Sequence, residues 1–160
     1  MNNLDLDAVL FLKGGMEASS ENGLNSITAS GDDNILYLSG EYSATGLGAE
    51  NRVDAGYGND QVFLDGQVAV GGLNLLGGEG YDALTLGAAD GAAMAANYQG
   101  WLEAAAANTG DSAFAEWGWE SLRVDLADTQ TDLSSLQWLG DMVQSHNSGA
   151  STPIDLELDV

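Results

Sequence analysis

Three short stretches carry the reading of the fold: Ala29-Ser-Gly-Asp-Asp-Asn-Ile-Leu36, Ala55-Gly-Tyr-Gly-Asn-Asp-Gln-Val-Phe63 and Gly77-Gly-Glu-Gly-Tyr-Asp-Ala-Leu-Thr85. Each runs from a small residue through Gly, any residue and Asp to an aliphatic residue. Asp33, Asp60 and Asp82 take the same place, and Ile35, Val62 and Leu84 follow two residues later. Glycine reaches left-handed backbone angles that other residues avoid, so a six-residue turn of this kind can aim several carbonyl oxygens inward. The Asp adds a carboxylate to that oxygen cage, and calcium takes six to eight oxygen ligands. The three residues after it form a minimal strand with its aliphatic side chain in the core.

The composition agrees with an oxygen-rich site. The 160 residues, one domain's worth, contain 25 Asp+Glu against 3 Lys+Arg, a net charge of −22. Such a chain repels phosphate backbones and anionic membrane surfaces, which argues against nucleic-acid binding and docking to such a surface as primary roles, and the apolar run Ala8–Leu12 is far too short for membrane insertion. Lys13, Arg52 and Arg123 are the only basic side chains besides His146, so the compensating charge is expected from outside, as a hard divalent cation. With no Cys there are no disulfides or thiolate metal sites, and one His rules out a His-rich centre. A hydrophobic content of 44% is enough for a packed core.

The third stretch fits the nonapeptide G-G-x-G-x-D-x-U-x at every defined position; the second has Ala55 for the first Gly, and the first has Ala29 and Ser30 where Gly and a free position stand. Over residues 23–87 the chain therefore resembles the RTX family of calcium-binding parallel β-rolls. That resemblance implies a coil of two nonapeptides, about 18 residues, with equivalent turns stacked on one edge. On that spacing Asp33 and Asn51 share one edge and Asp60 and Asp82 the other, with four extra residues bulging between Gly66 and Gly72. The candidate metal ligands are Asp32, Asp33, Asn51, Gly56, Gly58, Asn59, Asp60, Gly78, Gly80 and Asp82, the strongest site lying between the Asp60 and Asp82 turns. Gly-Asx clusters between short aliphatic runs also mark ordinary turns of an antiparallel domain, and that alternative stays open.

The fold class expected is mainly β with helices: a short parallel β-roll and a helical C-terminal cap. Residues 1–22 form an N-terminal strand or cap, 23–87 the roll, 88–146 the cap, and 147–160 a linker and C-terminal strand. Eighteen of the 22 glycines precede residue 101, and all four tryptophans follow residue 100. Asp90 N-caps a helix to Asn108, on which Met94, Tyr98, Trp101 and Ala105 recur at helical spacing as core. Asp111 caps a shorter helix carrying Phe114 and Trp117; Leu122–Leu126 reads as a strand, Asp132–Val143 as a helix, and His146 as an exposed loop residue. Asn147–Thr152 sets off a mobile arm.

Both termini alternate apolar with acidic residues, Leu4–Ala8 and Ile154–Val160, as half-buried strands do. They pair within the chain or extend a sheet in a second copy. The N-terminus lacks the pattern of a cleaved secretory signal, and the acidic-apolar end near Val160 resembles the uncleaved C-terminal signal of type I export. No H-E-x-x-H, G-x-S-x-G or Lys-terminated phosphate loop is present, and no enzyme activity is expected. The functional expectation is a secreted, extracellular calcium-binding structural protein that folds on Ca2+ and assembles or adheres outside the cell. Two alternatives are a secretion and folding module related to a larger RTX exoenzyme or adhesin, and a small carbohydrate-binding module with exposed tryptophans.

Overall fold

A computed structural model of the chain describes residues 2–4, 9–29, 31–109, 117–128, 132–150 and 153–159. The protein is mixed α/β, built on two parallel sheets. The smaller sheet contains β1 (Asn2–Leu4), β4 (Leu24–Ala29), β6 (Glu50–Asp54) and β8 (Asn74–Leu76), in that order. The larger has the order β11-β10-β9-β7-β5-β2: β11 (Asp155–Asp159), β10 (Ser121–Leu126), β9 (Ala83–Ala88), β7 (Gln61–Val68), β5 (Ile35–Ala44) and β2 (Val9–Leu12), while β3 (Gly15–Ala18) also pairs with β5. From β4 to β9 the chain alternates between the sheets, so each circuit lays one strand on each. In register, 26 residues separate Ile27 from Val53 and 22 separate Val53 from Leu75. The circuit is thus longer than the 18 residues expected from the nonapeptide, because strands of up to ten residues replace three-residue ones.

Two aliphatic columns run the length of the larger sheet. One stacks Leu10, Leu36, Val62, Leu84, Leu122 and Leu156; the other stacks Leu12, Leu38, Leu64, Leu86, Val124 and Leu158. Their middle rungs are buried completely, each Leu contributing about 1.5–3 kcal/mol relative to exposure. Val53 and Leu75 face them from the smaller sheet within one continuous core. Ile35, expected inside, lies in register with Val9 and Gln61 on the outer column, and Leu36 takes the inner place. The side-chain period of a strand is two, so a slip of one residue in aligning the first copy reverses the face. On the outer face Phe11, Tyr37 and Phe63 stack at 4.8 Å between ring centroids, the spacing of neighbouring strands.

After β9 the chain turns helical. Asp90 caps the first helix, its carboxylate accepting the Ala93 N–H at 2.7 Å. The helix runs as α1 (Gly91–Met94), a π-helical turn (Ala95–Gln99) and α2 (Gly100–Thr109). Met94, Tyr98 and Trp101 are buried as expected, and Ala105 packs against them. The expected Asp111 helix with Phe114 lies outside the described residues. Trp117 and Trp119 are core residues, and Trp138 packs against the core. A 3-10 turn (Leu133–Leu136) leads into α3 (Gln137–Gly149).

Helix α3 outruns the expected end at Val143, so His146 sits in its last turn, partly buried, rather than in a loop. Asn147 then holds the chain against the core: its Nδ2 donates to Ile154 O at 2.9 Å, and Ile154 N–H donates to its Oδ1 at 2.7 Å. Beyond this clamp, β11 pairs in parallel with β10 of its own chain, and β1 pairs with β4; of the strand expected at Leu4–Ala8, residues 5–8 lie outside the described residues.

The helical region closes one sheet end. Trp101 Nε1 donates to Leu73 O at 2.7 Å and Trp119 Nε1 to Leu75 O at 3.0 Å, so both indoles satisfy carbonyls beside and on β8, the last strand of the smaller sheet. An unpaired buried carbonyl costs about 1–3 kcal/mol. Trp119→Phe is therefore expected to lower unfolding stability by about 2 kcal/mol, most of it from the orphaned Leu75 carbonyl, read as a reduced denaturation midpoint at unchanged slope.

Candidate functional site

At the turn preceding the larger sheet, the chain stacks one polar residue per rung. Asn34, Asp60, Asp82 and Glu120 each stand immediately before a strand whose first residues, Ile35, Gln61, Ala83 and Ser121, are in register. Neighbouring rungs are tied by the same bond: Asn34 N–H donates to Asp60 Oδ1 at 2.7 Å, Asp60 N–H to Asp82 Oδ1 at 2.8 Å, and Asp82 N–H to Glu120 Oε2 at 2.8 Å. Asn34 Nδ2 adds bonds to Asp60 Oδ1, Asp32 O and Ala55 O.

A second column lies toward solvent, where Asn59 N–H donates to Asp33 Oδ1 at 2.8 Å and Tyr81 N–H to Asn59 Oδ1 at 2.9 Å. The glycines make the stacking close. Gly56, Gly58, Gly78 and Gly80 all have positive φ. The turns bond directly, Glu79 N–H to Gly56 O and Gly58 N–H to Glu79 O, each at 3.0 Å.

Asp60 and Asp82 thus share an edge, as their spacing predicts. The expected partnership of Asp33 with Asn51 does not form. A 26-residue circuit brings Asn34, not Asp33, beneath Asp60, and directs Asp33 to Asn59. Asn51 is on a different strand, β6, in register with Asn25. Its Nδ2 donates to Ser43 O and Gly72 O, both at 2.8 Å, and its Oδ1 accepts Asn25 Nδ2 at 2.9 Å. Asp32 is exposed and contributes its carbonyl to Asn34. Nothing in the repeat template marks Asn34 or Glu120, and Asn25, which with Ser26 and Ile27 reads as a further degenerate turn, lies instead within strand β4. Counting 26 residues back from Asp60 finds Asn34, but a nonapeptide template has no such period.

The electrostatics of the inner column are uncompensated. Asp60 and Asp82 are 1% and 0% exposed, and the Oδ2 of each is buried with no hydrogen-bond partner. Burial pushes the Asp82 carboxyl up to about 6, with the Asp60 and Glu120 charges adding to the rise and the Asp60 backbone N–H opposing it. Burial likewise raises Asp60, against the lowering effect of its bonds from Asn34. A buried carboxylate oxygen with no donor calls for a proton or a cation.

Among the described residues no group of three or more His, Cys, Asp or Glu side chains is placed to hold a metal. Any ion here would rest on the two aspartates of adjacent rungs and on main-chain oxygens of the glycine turns. That donor set suits a hard, oxygen-seeking ion. The tryptophans that a carbohydrate-binding module would need exposed are core residues or packed against the core, as expected for Trp101. No family model, no curated protein and no solved structure matches the chain.

Proposed function

We propose that the chain is a calcium-binding structural protein, RTX-like in its glycine-turn chemistry, whose parallel coil is completed by the ion and which works and assembles outside the cell. The observation that carries this reading is the pair of partnerless, buried Oδ2 atoms on Asp60 and Asp82, stacked one rung apart beneath glycine turns. Calcium there would be held by Asp60 and Asp82, with the Gly56–Gly58 and Gly78–Gly80 turns as the source of carbonyl oxygens. It would supply the positive charge that a chain of net charge −22 lacks. Ion binding that requires the folded turns adds directly to folding free energy. A chain of this kind is weakly folded where calcium is scarce and firmly folded where it is abundant, which suits export through type I machinery followed by folding outside.

The test is calorimetric titration of the chelator-stripped protein with calcium, followed in parallel by far-UV circular dichroism. Asp60→Ala and Asp82→Ala are expected to weaken binding at least tenfold, and Asp128→Ala, an exposed position, to leave it unchanged. Equal affinities in all three variants, or no heat and no spectral change in the parent chain, overturn the calcium reading. The column is then neutralised by protons alone.

A further inference from the structure

We propose that the free edges of β11 and β2 are complementary, and that copies of this chain join head to tail through them, carrying the larger sheet from one molecule into the next. The inference deepens the assembly part of the proposed function and rests on it, but it does not require calcium.

Three observations support it. First, the two aliphatic columns stop without being covered. Their middle rungs are fully buried, whereas Leu10, Leu12 and Leu156 are only partly buried and Leu158 is 41% exposed. Second, the two sheets end differently. The smaller sheet is closed at its β8 end by the Trp101 and Trp119 indoles, but β11 and β2, at the two ends of the larger sheet, each have one pairing neighbour among the described residues. Asp155 N–H donates to Glu120 O, so alternation along a parallel strand turns the Leu156 and Leu158 N–H groups off the edge. An open edge of this kind is a template for another strand unless it is blocked.

Third, the edges match chemically. Alternating with its leucines, β11 carries Asp155, Glu157 and Asp159, while the other edge carries Val9 and Phe11 and is followed by Lys13. In the register of the internal rungs, an incoming β2 sets Leu10 and Leu12 against Leu156 and Leu158. The same placement brings Lys13 beside Asp159, next to its intramolecular partner Arg123. Pairing β11 with a second β11 instead confronts two acidic rows, which is unfavourable across a sheet. The acidic row therefore selects against symmetric pairing at that edge. An interface between two different patches leaves one patch of each kind free on a pair of copies, so it propagates beyond the dimer into a line or ring of copies.

Sedimentation velocity on the whole chain, over a range of concentrations with and without calcium, tests this, with circular dichroism confirming the fold. Species beyond the dimer are expected to grow with concentration. Leu158→Pro removes an N–H that faces off the edge, and is expected to leave the spectrum unchanged and the protein monomeric. Lys13→Glu, remote from β11, is expected to weaken association at least tenfold. A folded parent that stays monomeric or stops at a dimer overturns the proposal, as does undiminished assembly of both variants. Assembly that behaves as described in a chain indifferent to calcium sinks the calcium reading and leaves this one standing.

Discussion

Replacing Asp82 by asparagine is expected to raise the stability of the calcium-free protein at pH 8, by up to about 3 kcal/mol, and to abolish its stabilisation by calcium. The first half follows from linkage. The Asp82 carboxyl stands at about 6 in the folded chain against an ordinary 3.8, so between those values the folded state holds a proton that the unfolded state has released. Stability contributed by this group is complete below the unfolded value, declines as pH rises, and is lost above about 6. A difference of roughly two pH units corresponds to about 3 kcal/mol.

Without calcium, the parent chain is therefore expected to unfold more easily at pH 8 than at pH 5, and Asp82→Asn to flatten that slope. The column already accommodates an amide at Asn34, whose Nδ2 reaches turn carbonyls, so asparagine has a local precedent. Calcium is expected to reverse the slope in the parent, because the ion competes with the proton for the same oxygens. Thermal unfolding at pH 5 and pH 8, in chelator and in calcium, reads all four conditions. A parent whose chelator-treated stability rises from pH 5 to pH 8 contradicts the assignment of an uncompensated carboxyl at this place.

Gly80→Ala is expected to be the most damaging single methyl in the molecule. A Cβ there would stand 1.6 Å from Gly58 O, a main-chain atom of the rung below, and the residue's φ of +149° is one that side chains avoid. Neither strain can be relieved without separating the Gly58 and Gly80 turns, which carry the Asp60–Asp82 bond. A loss above about 4 kcal/mol is expected, with calcium response lost as well. Gly71→Ala is the control. It also has a positive φ, +68°, but nothing lies within 4 Å of its Cβ, so only a left-handed backbone cost of about 1–2 kcal/mol applies. Chemical denaturation of both separates crowding between rungs from backbone preference. Comparable losses would mean that the turns are not in contact.

Much of the architecture is legible in the chain. The aligned Gly-x-Asp stretches locate the turns before β7 and β9, and the 22-residue interval between Asp60 and Asp82 is the true circuit length there. The Asp90 cap, the Met94–Tyr98–Trp101 stripe and the Leu122–Leu126 strand are also local, because a capping carboxylate and a 3.6-residue or two-residue period leave their mark in adjacent residues. The first repeat copy is where local reading fails. Asp33, Asn34 and Ile35 fit the template better than Asn34, Ile35 and Leu36. Only pairing with β7 shows that Leu36 is inside and Asn34 belongs to the column.

By itself the sequence determined which residue types carry the chemistry: an excess of carboxylates over cations, glycines at nearly every described place where the backbone crosses to positive φ, and no thiol or imidazole cluster. Those are properties of single residues and short windows, so no fold is needed to read them. Tertiary structure decided which carboxylates stand over one another, that Asn51 serves β6 and its neighbouring carbonyls, and that one sheet end is closed by indoles while the other is open. These depend on circuit length, which is the sum of strand and turn lengths over more than twenty residues. An error of one residue anywhere in that sum moves a side chain to the opposite face.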